Sequence, residues 1–151
     1  MVFNGLEKTV YTHSYEANMK KIKMKINAQP TYLSGQSSQE KQCFLWSYEI
    51  TIENESKDDI VQLLHRHWRI TDMTGHVEEV RGPGVVGLQP LIKPGKKFVY
   101  SSLCQLATPQ GIMEGHYEFQ TLDEASFTVQ IPKMVLTAPE EVATAFRARL
   151  H

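Results

Sequence analysis

The side chains best suited to chemistry in this 151-residue chain are a set of histidines and glutamates. His65 and His67 are two apart within the run Ile60 to Thr71, so on a strand they point to the same face. Glu114, His116 and Glu118 follow the same spacing in the run Ile112 to Leu122. Neutral imidazoles with a carboxylate suit a borderline divalent ion such as cobalt or zinc, which makes His65, His67, His116, Glu114 and Glu118 a candidate metal set. The competing reading is a solvated polar sheet face. Scattered carboxylates argue against an oxygen-only magnesium site.

The second candidate is Gly82-Pro83-Gly84-Val85-Val86-Gly87, a formal G-x-G-x-x-G. In dinucleotide folds such glycines let a helix N-terminus approach a pyrophosphate. Here Leu88-Gln-Pro90 and Lys93-Pro-Gly95 follow, which cannot start a helix. A tight loop between strands is the simpler reading, with glycines at positive φ. An anion nest of backbone N–H groups, helped by Arg81 beside Gly82, Gly84 and Gly87, stays open as an intermediate.

Catalysis has little support. The chain has no G-x-S-x-G elbow, no H-E-x-x-H and no C-x-x-C. Cys43 and Cys104 fall in strand patterns, where a small buried hydrophobe is the usual role.

These residues need elements to hold them. Period-two alternation between turn markers dominates, which predicts strands. Ile22 to Ile26 alternates and ends near Pro30, and Phe44, Trp46, Tyr48, Ile50 and Ile52 share one face. In the third run, Ile60, Leu64, Trp68 and Ile70 are expected on one side. Val61, Leu63, His65, His67 and Arg69 are expected on the other. Strands are also expected over His76 to Arg81, Phe98 to Leu106, Ile112 to Leu122 and through Phe127, Val129 and Ile131. About seven short strands predict an all-β sandwich of two antiparallel sheets. The His65/His67 strand should neighbour the His116 strand, with Met113, Tyr117 and Phe119 inward. Only Pro139 to Arg149 reads as a helix, with acids in its first turn and arginines in its last.

Composition is that of one globular domain: 41% hydrophobic, 22% charged and a net charge of −1. That balance gives no reason to expect nucleic acid or an anionic membrane as partner. No apolar run approaches a membrane span, and the first residues lack a secretory h-region. Reduced cysteines in a cytoplasmic protein are the expectation.

From about Phe44 to Leu136 the chain resembles the ApaG family of small bacterial proteins, whose domain recurs in some eukaryotic proteins. The matching segments include Glu53-Asn54, Val61-Gln-Leu-Leu64, Arg66-His-Trp68-Arg-Ile-Thr-Asp72, Glu79-Val80 and Gly82-Pro-Gly-Val-Val-Gly-Leu-Gln-Pro90. Pro94-Gly95, Phe98-Val-Tyr100-Ser, Thr108-Pro109 and Gly115-His-Tyr117 continue the order. The resemblance implies an immunoglobulin- or fibronectin-III-like fold. It also implies an association with cobalt and magnesium efflux or resistance, although a soluble sandwich cannot itself carry ions across a bilayer. In the eukaryotic proteins the domain is a recognition module. The chain departs from the family pattern before about Met19, after Ala138, and at His65, where a variable residue is expected.

The expected organisation is an N-terminal extension over 1–18, the sandwich over 19–137 and a helical extension over 138–151. The expected function is a non-enzymatic binding module with an unidentified protein partner, as monomer or homodimer, with no cofactor beyond a weak divalent metal. A divalent-cation homeostasis factor with a weak metal or anion site is the second reading. An enzyme acting on a phosphorylated nucleotide is a distant third.

Overall fold

The computed structural model describes residues 9–17, 19 and 21–150. Residues 1–8 of the expected N-terminal extension, with Asn18, Lys20 and His151, lie outside the described residues. In chain order the elements are β1 (Tyr11–Ala17), β2 (Ile22–Tyr32), β3 (Phe44–Asn54), β4 (Val61–Asp72), β5 (Val77–Pro83), β6 (Leu91–Ile92), β7 (Lys97–Leu106), β8 (Gln110–Thr121), β9 (Ser126–Thr137) and α1 (Glu140–Arg149). One sheet has the order β1-β2-β3-β7 and the other β5-β4-β8-β9, with β6 paired to β4. All the pairings are antiparallel. This is the expected all-β sandwich with a short C-terminal helix.

Alternation places the inner face of β2 (Ile22, Met24, Ile26, Ala28) beside that of β3 (Phe44, Trp46, Tyr48, Ile50, Ile52) in the first sheet, all buried. The second sheet contributes Val61, Leu63, Trp68, Met113, Tyr117, Phe119, Val129 and Ile131. Ile70 and Phe127, also expected in the core, are partly buried against it. β2 runs further than its alternation suggested, through Pro30, which pairs with Tyr48. β1 covers β2 only as far as Ala28, so beyond that point the flank of β2 that faced β1 is open. A residue without an N–H is tolerated at such an edge.

Two expectations change. The strand reading put Val61 and Leu63 on the histidine face, yet both are fully buried alongside Trp68. The β4–β8 register shifts between Leu63 and His65, and that bulge reverses the phase of alternation. The N-terminal boundary also moves. β1 pairs along its whole length with β2, and Tyr11 and Tyr15 pack on the core, so the sandwich includes residues assigned to the extension. The helix after Ala138 also docks on the domain, Phe146 meeting Phe44 edge-on at 5.8 Å between ring centroids.

Candidate functional site

The outer face of the second sheet gathers the candidate chemistry by strand register. Across β5, β4 and β8, one row reads Pro83, His65, Glu118 and the next Arg81, His67, His116. A third row reads Glu79, Arg69, Glu114. Directly opposed residues on adjacent antiparallel strands are near enough for side-chain contact. The His67 and His116 rings meet edge to face, 4.9 Å between centroids at 72°. His65 Nδ1 lies 3.5 Å from Glu118 Oε1.

The His67 side chain is 17% exposed, with Nε2 3.4 Å from Glu79 Oε1. That approach lacks hydrogen-bond alignment, so Nε2 is buried without a hydrogen-bond partner. His116 is held below the ordinary histidine pKa, first by burial and then by His67 and Arg81, with Glu118 opposing them. A neutral imidazole is therefore favoured at this position. Together His65, Arg66, His67, Arg81, Gly82, Pro83, His116 and Glu118 line an open cleft of about 410 Å³.

Of the candidate metal set, His65, His67, His116 and Glu118 line this cleft. Glu114 does not, because its register places it opposite Arg69, one row away. Among the described residues no group of three or more histidine, cysteine, aspartate or glutamate side chains is arranged to hold a metal ion. The rows explain this: His65 and Glu118 approach each other, whereas His67 turns towards His116 and Glu79.

The candidate anion residues separate. Gly84 N–H donates to Leu64 O at 2.8 Å, and Val85 and Leu88 exchange two backbone hydrogen bonds, each 2.8 Å. Val86 (φ 44°) and Gly87 (φ 79°) form the two-residue turn between them, as in a primed hairpin turn. The Gly84, Val85 and Leu88 N–H groups are thus bonded to backbone carbonyls, and the loop leads on to β6 with no helix behind it. Arg81 and Gly82 line the outer cleft, whereas Gly87 lines a different pocket. A single anion cradle built from Arg81, Gly82, Gly84 and Gly87 is therefore not formed.

Gly84 has a structural role. Its φ is +60°, and an added Cβ would lie 2.0 Å from Leu88 O. Arg66 was not singled out from the sequence, yet it packs over Gly82 and donates from Nη1 to Pro83 O (3.1 Å) and Gly84 O (3.0 Å). Its signal in the sequence is the even-numbered place beside Trp68, on the inner side of β4 once the bulge is passed.

Comparison with known proteins agrees with the order of these segments. The ApaG domain family matches residues 34–121. The chain belongs to the ApaG family. Protein ApaG of Parvibaculum lavamentivorans is 50% identical over 114 residues, covering 76% of this chain and 87% of that protein. Protein ApaG of Brucella abortus is 45% identical over 121 residues, covering 80% and 92%. A crystal structure of a Bordetella pertussis protein described as ApaA superposes with a TM-score of 0.75 at 38% identity, covering 78% of this chain and 95% of that one. The ApaG match spans both candidate sites, and β1, β2 and β9, which lie outside it, complete the sandwich.

Proposed function

We propose that this ApaG-family chain is a non-enzymatic binding module, and that it presents its partner with the outer face of β5, β4 and β8. The observation that carries this reading is the cleft of about 410 Å³, in which the edge-to-face His67–His116 pair is flanked by Arg81 and Glu118. Such a face combines aromatic surface, a fixed cation and a carboxylate, which supports recognition of a polar protein surface. No nucleophile–base pair among these residues suggests turnover.

The test is affinity capture from source-cell lysate with the wild type and with a His67→Ala/Arg81→Glu double variant of matched thermal stability. A partner retained by the wild type and lost from the variant supports the reading. Equal capture by both overturns it.

The second reading, a weak divalent-cation site, is favoured by one observation, the 4.9 Å approach of two imidazoles of which His116 is biased to its neutral form. Calorimetric titration with cobalt, zinc and magnesium tests it. Weak cobalt or zinc binding that His116→Gln abolishes, and that fades as pH falls through the histidine range, supports it. Heats indistinguishable from dilution overturn it.

A further inference from the structure

The two sheets are not closed equally at their two flanks. Between the β7 and β5 flank, beneath the Val85–Gly87 turn, lies a pocket of about 180 Å³ lined by Tyr48, Arg66, Trp68, Val85, Val86, Gly87, Tyr100 and Ser102. It is separate from the outer cleft but shares Arg66 with it. We propose that this inter-sheet pocket is a second binding site, taking a single oxyanion group, a carboxylate or a phosphate, with Arg66 as its charge partner.

The argument begins with donors. A guanidinium has five N–H groups and no acceptor. Arg66 Nη1 serves Pro83 O and Gly84 O, and these carbonyls hold the group in place. None of the four ion pairs among the described residues includes Arg66, so its charge has no carboxylate partner there. Tyr48 and Ser102 are directly opposed on β3 and β7, so two hydroxyl-bearing side chains stand together at the pocket wall.

Tyr100 supplies the third hydroxyl. Its partner is the hydroxyl of Tyr117, which is fully buried. A buried hydroxyl with one partner is best satisfied by donating to it. With Tyr117 as donor of this bond, the Tyr100 hydroxyl is left to donate into the pocket. Burial raises the pKa of Tyr48, Tyr100 and Tyr117, so all three phenols keep the protons this arrangement needs.

A fixed cation and neutral O–H donors in a half-enclosed space are complementary to an oxyanion, which pairs strongly with a planar guanidinium. The volume sets the size. At about 180 Å³ the pocket is smaller than the range typical of drug-sized ligands, so it fits one carboxylate or phosphate group but not a whole nucleotide. The site does not depend on the outer-face reading, because the residues that distinguish it are interior.

The experiment is a backbone-amide NMR titration of the full chain with sodium acetate, sodium phosphate and ATP, each against sodium chloride at equal ionic strength. The expected result is saturable shifts of Ser102, Val86 and Gly87 with acetate, phosphate or both. ATP is expected to bind no more tightly than phosphate. Arg66→Lys keeps the charge but loses the fork, and should weaken binding by about tenfold or more. That variant also loosens the loop, so Tyr48→Phe and Ser102→Ala serve as variants that leave Arg66 in place, each expected to weaken binding severalfold. Arg81→Gln, confined to the outer cleft, should leave it unchanged. Shifts centred on His67, His116 and Arg81, or affinity unaltered in the Arg66, Tyr48 and Ser102 variants, overturn the proposal. So does the absence of any anion-specific shift.

Discussion

His116 is faced by His67 from β4, Arg81 from β5 and Glu118 from its own strand, with Gln130 of β9 on its other side. Burial, His67 and Arg81 together outweigh Glu118 and lower its pKa. A histidine with a depressed folded-state value binds fewer protons folded than unfolded, so stability falls with acid. The contribution is intact above the ordinary value of 6.5 and is lost as pH drops from there through the lowered value. His116→Gln should therefore flatten the acid limb of a Tm-against-pH curve between neutral pH and about 5. An unchanged acid limb would show that the ring is freely solvated. Gly84 makes the other prediction at this scale. With φ at +60° and Leu88 O 2.0 Å from an added Cβ, Gly84→Ala should cost more than about 1 kcal/mol in urea unfolding. It should leave ATP affinity unaltered. Micromolar ATP binding, lost in this variant at constant stability, would restore the nucleotide reading of the loop.

Among the elements, β4 decides most. Its sequence shows two strand patterns of opposite phase, Val61 with Leu63 and then Trp68 with Arg66, and the bulge at Leu64 joins them. Without the bulge, His65 and His67 would share a face with Val61 and Leu63, and a polar face would carry two core residues. Trp68 is 2% exposed and meets Tyr48 and Tyr117 edge-on. Trp68→Ala should cost about 3–5 kcal/mol, measured by chemical denaturation. A loss below about 1 kcal/mol would mean that the ring contributes little to the core. Opposite Trp68 stands Gly115, where an added Cβ would come 2.0 Å from His67 O. This close approach of β4 and β8 lies beside the His67–His116 contact. Gly115→Ala should therefore lower stability and also disturb the His67 and His116 ring signals in NMR.

At the scale of the whole molecule, the flanks of the sandwich differ. On the β1, β2 and β9 side, Tyr15 stacks on Phe127 at 5.4 Å and Phe127 on Phe119 at 5.4 Å, an aromatic column that ties the sheets together. On the β7 and β5 side, the hydroxyls of Tyr48 and Tyr100 and the Arg66 guanidinium line an open pocket instead. One flank is built for closure and the other for access. Tyr15→Ala should cost about 1–3 kcal/mol of stability while leaving anion binding in the inter-sheet pocket unchanged. Tyr48→Phe should show the reverse, weaker binding with little change in Tm. If both variants changed stability and binding together, the two flanks would be one coupled unit.

The amino-acid order by itself determined the fold class, most of the strands, the burial of Trp46, Trp68, Tyr117 and Phe119, and the helix from Glu140. Alternation and turn residues are local signals, and family motifs in order reinforce them. It also put the His65/His67 strand beside the His116 strand with their outward residues on one face, whereas the pairing of His67 with His116 came with the register. Only the tertiary structure decided the bulge at Leu64, the inclusion of β1 in the first sheet and the different surroundings of Glu114 and Glu118. Register and bulges depend on pairing between distant segments, where a one-residue slip inverts every side chain. Arg66 shows the limit most clearly. Alternation already sets it on the Trp68 side of the strand, and only folding brings it onto the carbonyls of Pro83 and Gly84 and towards three tyrosines from β3, β7 and β8.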